Sequence, residues 1–155
     1  MAKIEQFLSE SDALAIVASA EYGVLSTVGA DGDPYGVPIN YVYVPGERAL
    51  FFHCLRRGRK LDNIAVNPHV SLVAVGEETL VPERFTTRYR SAMVFGVASV
   101  VEDDDERYMR LVQLNEALAP EHRDRYDEVI TKYLPKVAIV RVDIERVSGK
   151  MNDGK

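Results

Sequence analysis

The chain has 155 residues, 46% of them apolar, which is enough for one domain that buries roughly two-thirds of its unfolded surface. Nineteen basic residues against 24 acidic ones give a formal net charge of −5, which argues against general attraction to nucleic acid but leaves room for a local cationic pocket. The single cysteine, Cys54, excludes an intramolecular disulfide, and no apolar run reaches the ~20 residues that cross a bilayer. Because the stretch from Met1 to Ser9 lacks the apolar core of a signal peptide, we expect one soluble, cytoplasmic domain over residues 1–155 that binds neither membrane nor nucleic acid.

The N-terminal part of the chain predicts helix followed by a β-hairpin. Residues 4–19 have helical spacing, with Ser9 and Asp12 placed as a cap between a short first helix and the segment ALAIVAS. Tyr22–Gly29 is rich in strand formers, and the turn residues ADGDP lead into a second extended run, YGVPINYVYV. Proline cannot donate to a sheet ladder, so the prolines in and just before this run predict an irregular or edge strand.

Strand patterns dominate the remainder of the chain. The runs ALFFHC, NPHVSLVAVG, RSAMVFGVASVV and VAIVRVDIERV predict four further strands. The acidic run Glu102–Glu106 suits the start of a helix that reaches Leu118, and a second helix is predicted over His122–Leu134. Five or six strands with short helices, lacking strict strand–helix alternation, predict a mainly β (α+β) fold built on a closed or split antiparallel barrel.

The segment FFHCLRRGRKLDNI, at residues 51–64, joins a predicted strand to a short amphipathic helix through four cations. Gly58, Arg59 and Lys60 stand where free backbone N–H groups and the helix dipole favour an anion. Arg59 offers a planar fork to phosphate oxygens, and Lys60 offers a mobile point charge. The Walker pattern GxxxxGK[ST] is absent. The junction therefore predicts a phosphate clamp of another kind, and a solvated basic helix start that binds nothing stays open as the alternative.

Three sequence blocks, in this order, resemble the FMN-binding split-barrel superfamily that includes pyridoxamine 5'-phosphate oxidase. They are GVLSTVGADGDPYGVPINYVYV, FFHCLRRGRKLDNIAVNPHVSLVAVG and YRSAMVFGVASVVED, and the resemblance covers residues 13–150. Within the superfamily, the sequence is most similar to the Nim-type nitroimidazole-resistance branch. The resemblance implies a six-stranded antiparallel split β-barrel with peripheral helices. It also implies a homodimer whose FMN sites lie at the subunit interface.

The resemblance assigns part of the flavin site to two segments. Arg59 and Lys60 match residues on the FMN phosphate, with Gly58 in place of the family's serine, which removes one hydroxyl donor. Arg90 and Ser91 match positions where the oxidases have a cation and a glutamine near the flavin phosphate and ring. The shorter Ser91 has less reach than that glutamine.

Three further segments are implied to contact the flavin or its substrate. Residues Pro38, Ile39 and Asn40 match the strand beside the isoalloxazine, where main-chain groups tune the ring, although an irregular edge strand is the alternative. Lys150, in a terminal Gly-Lys segment, is implied to return to the flavin pocket, although a disordered end is equally compatible with the sequence. His53 matches an active-site histidine of the Nim-type branch. Its ordinary pKa near ~6.5 suits proton transfer, and a hydrogen-bonded strand histidine is the alternative.

These expectations favour an FMN-dependent oxidoreductase that acts on a small organic molecule, with a nitro-aromatic reductase as the boldest version. A non-catalytic flavin or haem carrier of the same fold stays open. So does a small interaction module whose cations meet phosphates of RNA or an acidic partner, although no aromatic platform supports RNA binding. Cys54 and His53 point to opposite faces of a strand, and His69 and His122 lack metal-ligand spacing, so neither a Cys-His nucleophile nor a zinc site is expected.

Overall fold

A computed structural model of the chain describes residues 6–155, where one antiparallel sheet carries helices on its periphery. The strands are β1 (Gln6–Leu8), β2 (Gly23–Val28), β3 (Pro34–Ile39), β4 (Val42–Val44), β5 (Ala49–Leu55), β6 (His69–Val81), β7 (Thr86–Val100) and β8 (Val137–Asn152). The α-helices are α1 (Glu10–Ser19), α2 (Arg59–Val66), α3 (Asp104–Leu118) and α4 (Tyr126–Tyr133). Among these described helices, none is long and apolar enough to cross a bilayer.

The sheet has the strand order β3-β2-β6-β7-β8-β5-β4, and β1 pairs with β8 outside this path. Within the described residues β3 and β4 do not pair with each other, so the barrel is split rather than closed. The predicted mainly β split barrel with peripheral helices is confirmed. Eight strands are present where six were expected, because β1 and β4 have three residues each and are too short to give a period-two pattern.

Two apolar cores flank the sheet. Leu50 and Phe52 of β5 point into the barrel, whereas Phe51 points outward and packs with Leu114 of α3 and Ile130 of α4. Successive residues of a strand face opposite sides, so the uninterrupted apolar run ALFF reflects burial on both faces. The last two residues of β5 therefore follow a part of the strand that is buried on both faces.

The start of the chain differs from the prediction in one respect. Ser9 is confirmed as the N-cap of α1, since its Oγ accepts a hydrogen bond from the backbone N–H of Asp12 at 3.1 Å. The short helix predicted before it is wrong where the structure describes it, because residues 6–8 form β1 and pair with residues 149–151 of β8. Residues 4 and 5 lie outside the described part of the chain.

The polar C-terminal segment is a strand. β8 continues to Asn152, where it lies between β7 on one side and β1 on the other. Lys150 pairs with Ser91 of β7 and with Phe7 of β1. The alternative of a disordered end is therefore wrong as far as Asn152, because backbone pairing on both edges holds residues whose side chains are too polar for a core.

A corner at Asn40 and Tyr41 separates β3 from β4. Asn40 Nδ2 donates to the carbonyl of Glu21 at 2.8 Å, and the Tyr41 hydroxyl donates to the carbonyl of Val17 at 2.6 Å. Burial raises the pKa of Tyr41, which keeps that hydroxyl protonated as a donor. β3 ends the strand order, so the predicted edge position of its prolines is confirmed.

Glu47, in the turn between β4 and β5, ties that turn to α3 and β8. Its carboxylate oxygens lie 2.8 Å from Arg110 Nη1 and 2.6 Å from Arg141 Nη1. The Arg110 side chain is 5% exposed, and its guanidinium stacks at 3.8 Å on the ring of Phe51. Hydrogen bonds from Arg110 and then Arg141 lower the pKa of Glu47.

Glu47→Gln is expected to reduce the free energy of unfolding by about 1–2 kcal/mol at neutral pH, because charge-assisted bonds to two arginines become neutral ones. The folded pKa of Glu47 lies below its unfolded value, so the carboxylate contributes fully above that unfolded value and loses its contribution as pH falls through the folded pKa. The difference in the free energy of unfolding between the variant and the parent should therefore become smaller in acid, and denaturant melts measure it. An equal loss from Glu78→Gln, at an exposed position of β6, would contradict this account.

Candidate functional site

A groove of about 280 Å³ opens beside the corner between β3 and β4. Its lining residues are Pro38, Ile39, Asn40, His53, Cys54, Leu55 and Lys60. Five of the predicted site residues therefore come together from three separate segments: the end of β3, the end of β5 and the start of α2. Arg59, which precedes Lys60, begins α2 beside the groove.

The start of α2 has free backbone donors and open space in front of it. Gly58 precedes the helix with a φ of 148°, in the region that favours glycine, and a Cβ there would meet no heavy atom within 4 Å. The first hydrogen bond of the helix runs from Leu61 N–H to the Gly58 carbonyl at 2.9 Å. The N–H groups of Arg59 and Lys60 lie ahead of that bond and have no helical acceptor. This arrangement suits an anion.

Packing on the other side of α2 fixes where this helix start lies. Ile64 is buried in the barrel core. Asn63 is also buried, and its Nδ2 donates to the Thr27 hydroxyl of β2 at 2.9 Å. Because a buried polar pair has a strong geometric preference, α2 is held in one orientation against β2. The N–H groups at its start are therefore positioned before any ligand arrives.

Four cations surround the helix start without a carboxylate partner. Within residues 6–155, Arg56, Arg57, Arg59 and Lys60 form no ion pair. Asp62 is the only acidic residue in the first turn of α2. The local field is thus positive although the whole chain carries a net charge of −5.

Tyr35 of β3 contacts Arg59, one of the predicted site residues, and the sequence did not reveal this contact. The guanidinium carbon of Arg59 lies 5.0 Å from the centroid of its ring, a cation–π distance. Stacking holds the plane of the guanidinium and leaves its N–H edge available. The only sequence signal was an aromatic residue in an edge strand, and that strand had no predicted neighbour at residue 59.

His53 lies in the groove, on the opposite face of β5 from the core residue Phe52. Its side chain is exposed by surface area, yet the surrounding strands remove enough water to lower the pKa of the imidazole. The ring is therefore neutral at physiological pH. Burial raises the pKa of Cys54, and the charge of Lys60 offsets this only in part, so Cys54 is a protonated thiol rather than a nucleophile.

Four predicted site residues do not line this groove: Arg59, which lies beside it, and Arg90, Ser91 and Lys150, which lie elsewhere on the sheet. Arg90 and Ser91 are consecutive on β7 and face opposite sides of the sheet. Arg90 lines a separate cavity of about 190 Å³ beneath α1, where its buried Nε has no hydrogen-bond partner. Ser91 and Lys150 are paired neighbours on the outer face of the sheet, with Lys150 Nζ 5.6 Å from the ring centroid of Tyr89. Within one chain, the structure does not bring the last three of these residues to the Lys60 groove.

An antiparallel barrel left open between β3 and β4 places the chain in the class of split barrels. The chain belongs to the pyridoxamine 5'-phosphate oxidase family, whose model matches residues 9–151. This match confirms the resemblance carried by the three sequence blocks. The family binds flavins, and the donor set at residues 58–60 fits the phosphate of a flavin nucleotide. A search of curated proteins gave no match.

Solved structures from several bacteria share the fold. A candidate 5-nitroimidazole antibiotic resistance protein from Bacteroides thetaiotaomicron is 20% identical with a TM-score of 0.77, over 96% of this chain and 89% of that one. An FAD- and haem-binding protein from Mycobacterium smegmatis is 21% identical with a TM-score of 0.78, over 96% and 74%. A haem storage protein from Vibrio cholerae is 23% identical with a TM-score of 0.66, over 91% and 94%. Identities this low establish the fold alone.

Proposed function

We propose that this protein is an FMN-dependent oxidoreductase that transfers two electrons to or from a small organic molecule, with a nitro-aromatic compound as the acceptor. The observation that carries the proposal is one groove that combines Lys60, at the start of α2, with His53 and an edge-strand backbone, with Arg59 next to Lys60 in the same helix start. Bound FMN supplies a ring that takes up and releases hydride equivalents. The chain's own residues bind and orient that ring and move a proton.

Arg59, Lys60 and the two N–H groups ahead of the first helical hydrogen bond would hold the phosphate. Residues 38–40 would hold the ring, because the backbone of an edge strand is accessible there. The side-chain amide of Asn40 already donates to Glu21, so Asn40 contributes through its main chain. In this proposal the helix start binds the phosphate, and the corner after β3 tunes the reactivity of the ring.

His53 is the proton carrier in this proposal. Its lowered pKa keeps the imidazole neutral near pH 7, so one ring nitrogen is free to accept a proton from solvent. The imidazolium then returns that proton to a substrate oxygen or nitrogen as the electron pair arrives. Reduction of a nitro group needs protons as well as electrons, and an exposed histidine in the groove meets that need.

We infer that a second copy of the chain completes the site, as a homodimer with the cofactor at the interface. Val75, opposite Ser91, and Val73 are apolar residues on the outer sheet face, 53% and 36% exposed. Covering this face would also bring Ser91 and Lys150 of one chain against the other. Light scattering should report the mass of two chains, and a single-chain mass with FMN bound would contradict the inference.

Titration of the purified protein with FMN, followed by stopped-flow mixing of the dithionite-reduced complex with a 5-nitroimidazole, tests the function. The proposal expects a saturable spectral change on binding and a reoxidation rate that rises with nitroimidazole concentration in the absence of oxygen. Protein that stays colourless at saturating FMN would contradict the flavin site. FMN binding without reoxidation would support the flavin site and contradict the nitro-reductase activity.

Tyr35→Leu is expected to weaken FMN binding about two- to fivefold, because an exposed cation–π contact contributes about 0.5–1 kcal/mol. Tyr35→Phe keeps the ring over which Arg59 stacks and should bind FMN like the parent. Fluorescence titration of the three proteins makes the comparison. Equal losses in both variants would point to the tyrosine hydroxyl and away from stacking.

A non-catalytic flavin or haem carrier is the second candidate, favoured by an exposed imidazole in an open groove. Haem titration of the parent and of His53→Ala tests this function through the spectrum of an axial imidazole ligand. A tight haem complex that loses this spectrum in the variant, together with slow flavin reoxidation, would favour the carrier. Haem binding no tighter than to an unrelated protein would exclude it.

A further inference from the structure

A cavity that the flavin proposal does not use lies on the other side of the segment between β5 and α2. It has a volume of about 480 Å³ and forms where β7 ends and where α3 and β8 begin. Its lining residues are Arg56, Leu61, Val100, Val101, Glu102, Asp104, Arg107, Val137 and Ala138. We refer to it as the Arg56 cavity.

The Arg56 cavity adjoins the Lys60 groove. Leu55 and Lys60 line the groove, and the residues that follow each of them, Arg56 and Leu61, line the cavity. Cys54 of the groove also pairs across the ladder with Ala138 of the cavity. Because consecutive Cα atoms are ~3.8 Å apart, the two spaces border the same short segment at the start of α2.

The polar groups of the cavity differ in whether they already have partners within the chain. Arg107 is buried, pairs with Asp104 and donates to the carbonyls of Leu134 and Val137 at 2.6 and 2.7 Å, so it is a structural wall. Within residues 6–155, Arg56 and Glu102 form no ion pair, which leaves one cation and one carboxylate for a ligand. The remaining wall is apolar.

This mixture excludes simple ligands. A small inorganic anion would meet the carboxylates of Glu102 and Asp104, and a metal cation would meet Arg56 and Arg107. A nucleotide carries the matching groups: phosphates for a cation, ribose hydroxyls that donate to a carboxylate, and a flat base for apolar walls. Arg56 also lies beyond the Arg59 and Lys60 pair to which the flavin proposal assigns one phosphate monoester.

We propose that the Arg56 cavity binds the adenosine diphosphate part of a dinucleotide, with Arg56 on its phosphates, Glu102 on its ribose and Val100, Val101 and Leu61 around its base. The dinucleotide is either FAD, whose flavin occupies the Lys60 groove, or a nicotinamide dinucleotide that binds beside FMN. The FAD case rests on the proposed flavin site, whereas binding of ADP to the cavity does not.

Calorimetric titration of the full chain, freed of flavin, with ADP, FMN, FAD and NADPH tests the proposal. Saturable ADP binding is expected. If the cavity takes the adenosine diphosphate part of FAD, FAD binds at least tenfold tighter than FMN and competes with ADP. If the cavity takes the adenosine diphosphate part of a nicotinamide dinucleotide, NADPH binds the FMN-loaded protein and competes with ADP. In that case FAD binds no tighter than FMN.

Matched variants locate the binding. Arg56→Ala and Glu102→Gln should weaken ADP binding about five- to tenfold, whereas Arg57→Ala and Asp105→Asn, which alter neighbours outside the cavity lining, should leave it unchanged. Val100→Phe places bulk in the cavity at a position that is 41% exposed, and it should block ADP without changing FMN affinity.

The outcomes separate the two sites. Absence of ADP binding together with equal affinities for FAD and FMN overturns the cavity proposal and leaves the flavin site intact. ADP binding without FMN binding supports the cavity and contradicts the flavin site. Equal losses from Arg56→Ala and Arg57→Ala would show general attraction to a basic surface and would also overturn the assignment.

Discussion

Lys60→Ala is expected to weaken FMN binding by about 1.5–3 kcal/mol, or roughly 10- to 150-fold, because a charge-assisted contact to the phosphate is lost. Lys60 lines the groove and has no carboxylate partner within the described residues, so its removal breaks no ion pair of the fold. The loss should therefore appear in affinity and leave the unfolding midpoint of the flavin-free protein unchanged. Flavin fluorescence quenching measures the first quantity and a denaturant melt the second.

Two comparisons make the Lys60 result specific. Riboflavin lacks the phosphate, so its affinity should be the same for the parent and for Lys60→Ala. Arg57→Ala removes one positive charge three residues earlier, at an exposed position that lines neither the groove nor the Arg56 cavity, and should change FMN affinity little. An FMN affinity that survives Lys60→Ala, or falls equally in both variants, would remove Lys60 from the phosphate site.

The junction of β5 and α2, which we propose binds the phosphate, was predictable as a strand followed by a helix because all its determinants are local in sequence. A strand run, Gly58, two cations and an amphipathic helix follow one another within residues 51–64, and each has a local preference that needs no distant partner. The groove around them was less accessible to local reasoning. Residues 38–40 joined His53 and Lys60 in the prediction only through family resemblance, since nothing local indicates that the end of β3 lies beside β5.

Errors in the prediction arose where long-range pairing decides the outcome. The segment after Val147 is polar, yet it continues β8 because β1 and β7 supply partners on both edges. Polar side chains do not exclude a strand when distant strands satisfy the hydrogen bonds of its backbone. Tyr35 was missed for the same reason, since its contact with Arg59 depends on how α2 packs across the barrel.

The pair Arg90 and Ser91 shows a limit of carrying residues over from a family as a block. Strand alternation alone separates their side chains to opposite faces, and the structure places one beneath α1 and the other on the outer sheet face. Only Ser91 lies on the face that a second copy of the chain could cover. Its role at the flavin, like that of Lys150 beside it, is therefore a prediction that depends on the homodimer.

His53→Gln is expected to leave FMN affinity unchanged and to slow reoxidation of the reduced flavin by a 5-nitroimidazole about 10²- to 10⁴-fold, the usual contribution of a positioned acid–base group. Glutamine keeps the hydrogen-bonding capacity and approximate size of the side chain but cannot carry the proton. Single-turnover stopped-flow mixing of the dithionite-reduced complex isolates this step, because it requires no knowledge of the physiological electron donor.

The pH profile gives the His53 prediction a second readout. Because desolvation lowers the pKa of His53, the parent should show a titration in its reoxidation rate below the ordinary histidine range, and this titration should vanish in His53→Gln. His69→Gln, on an exposed position of β6 away from the groove, is the matched control and should retain both the rate and the profile. Equal rates in the parent and His53→Gln would assign His53 to the scaffold of the groove, and the proton would then have to reach the substrate from solvent.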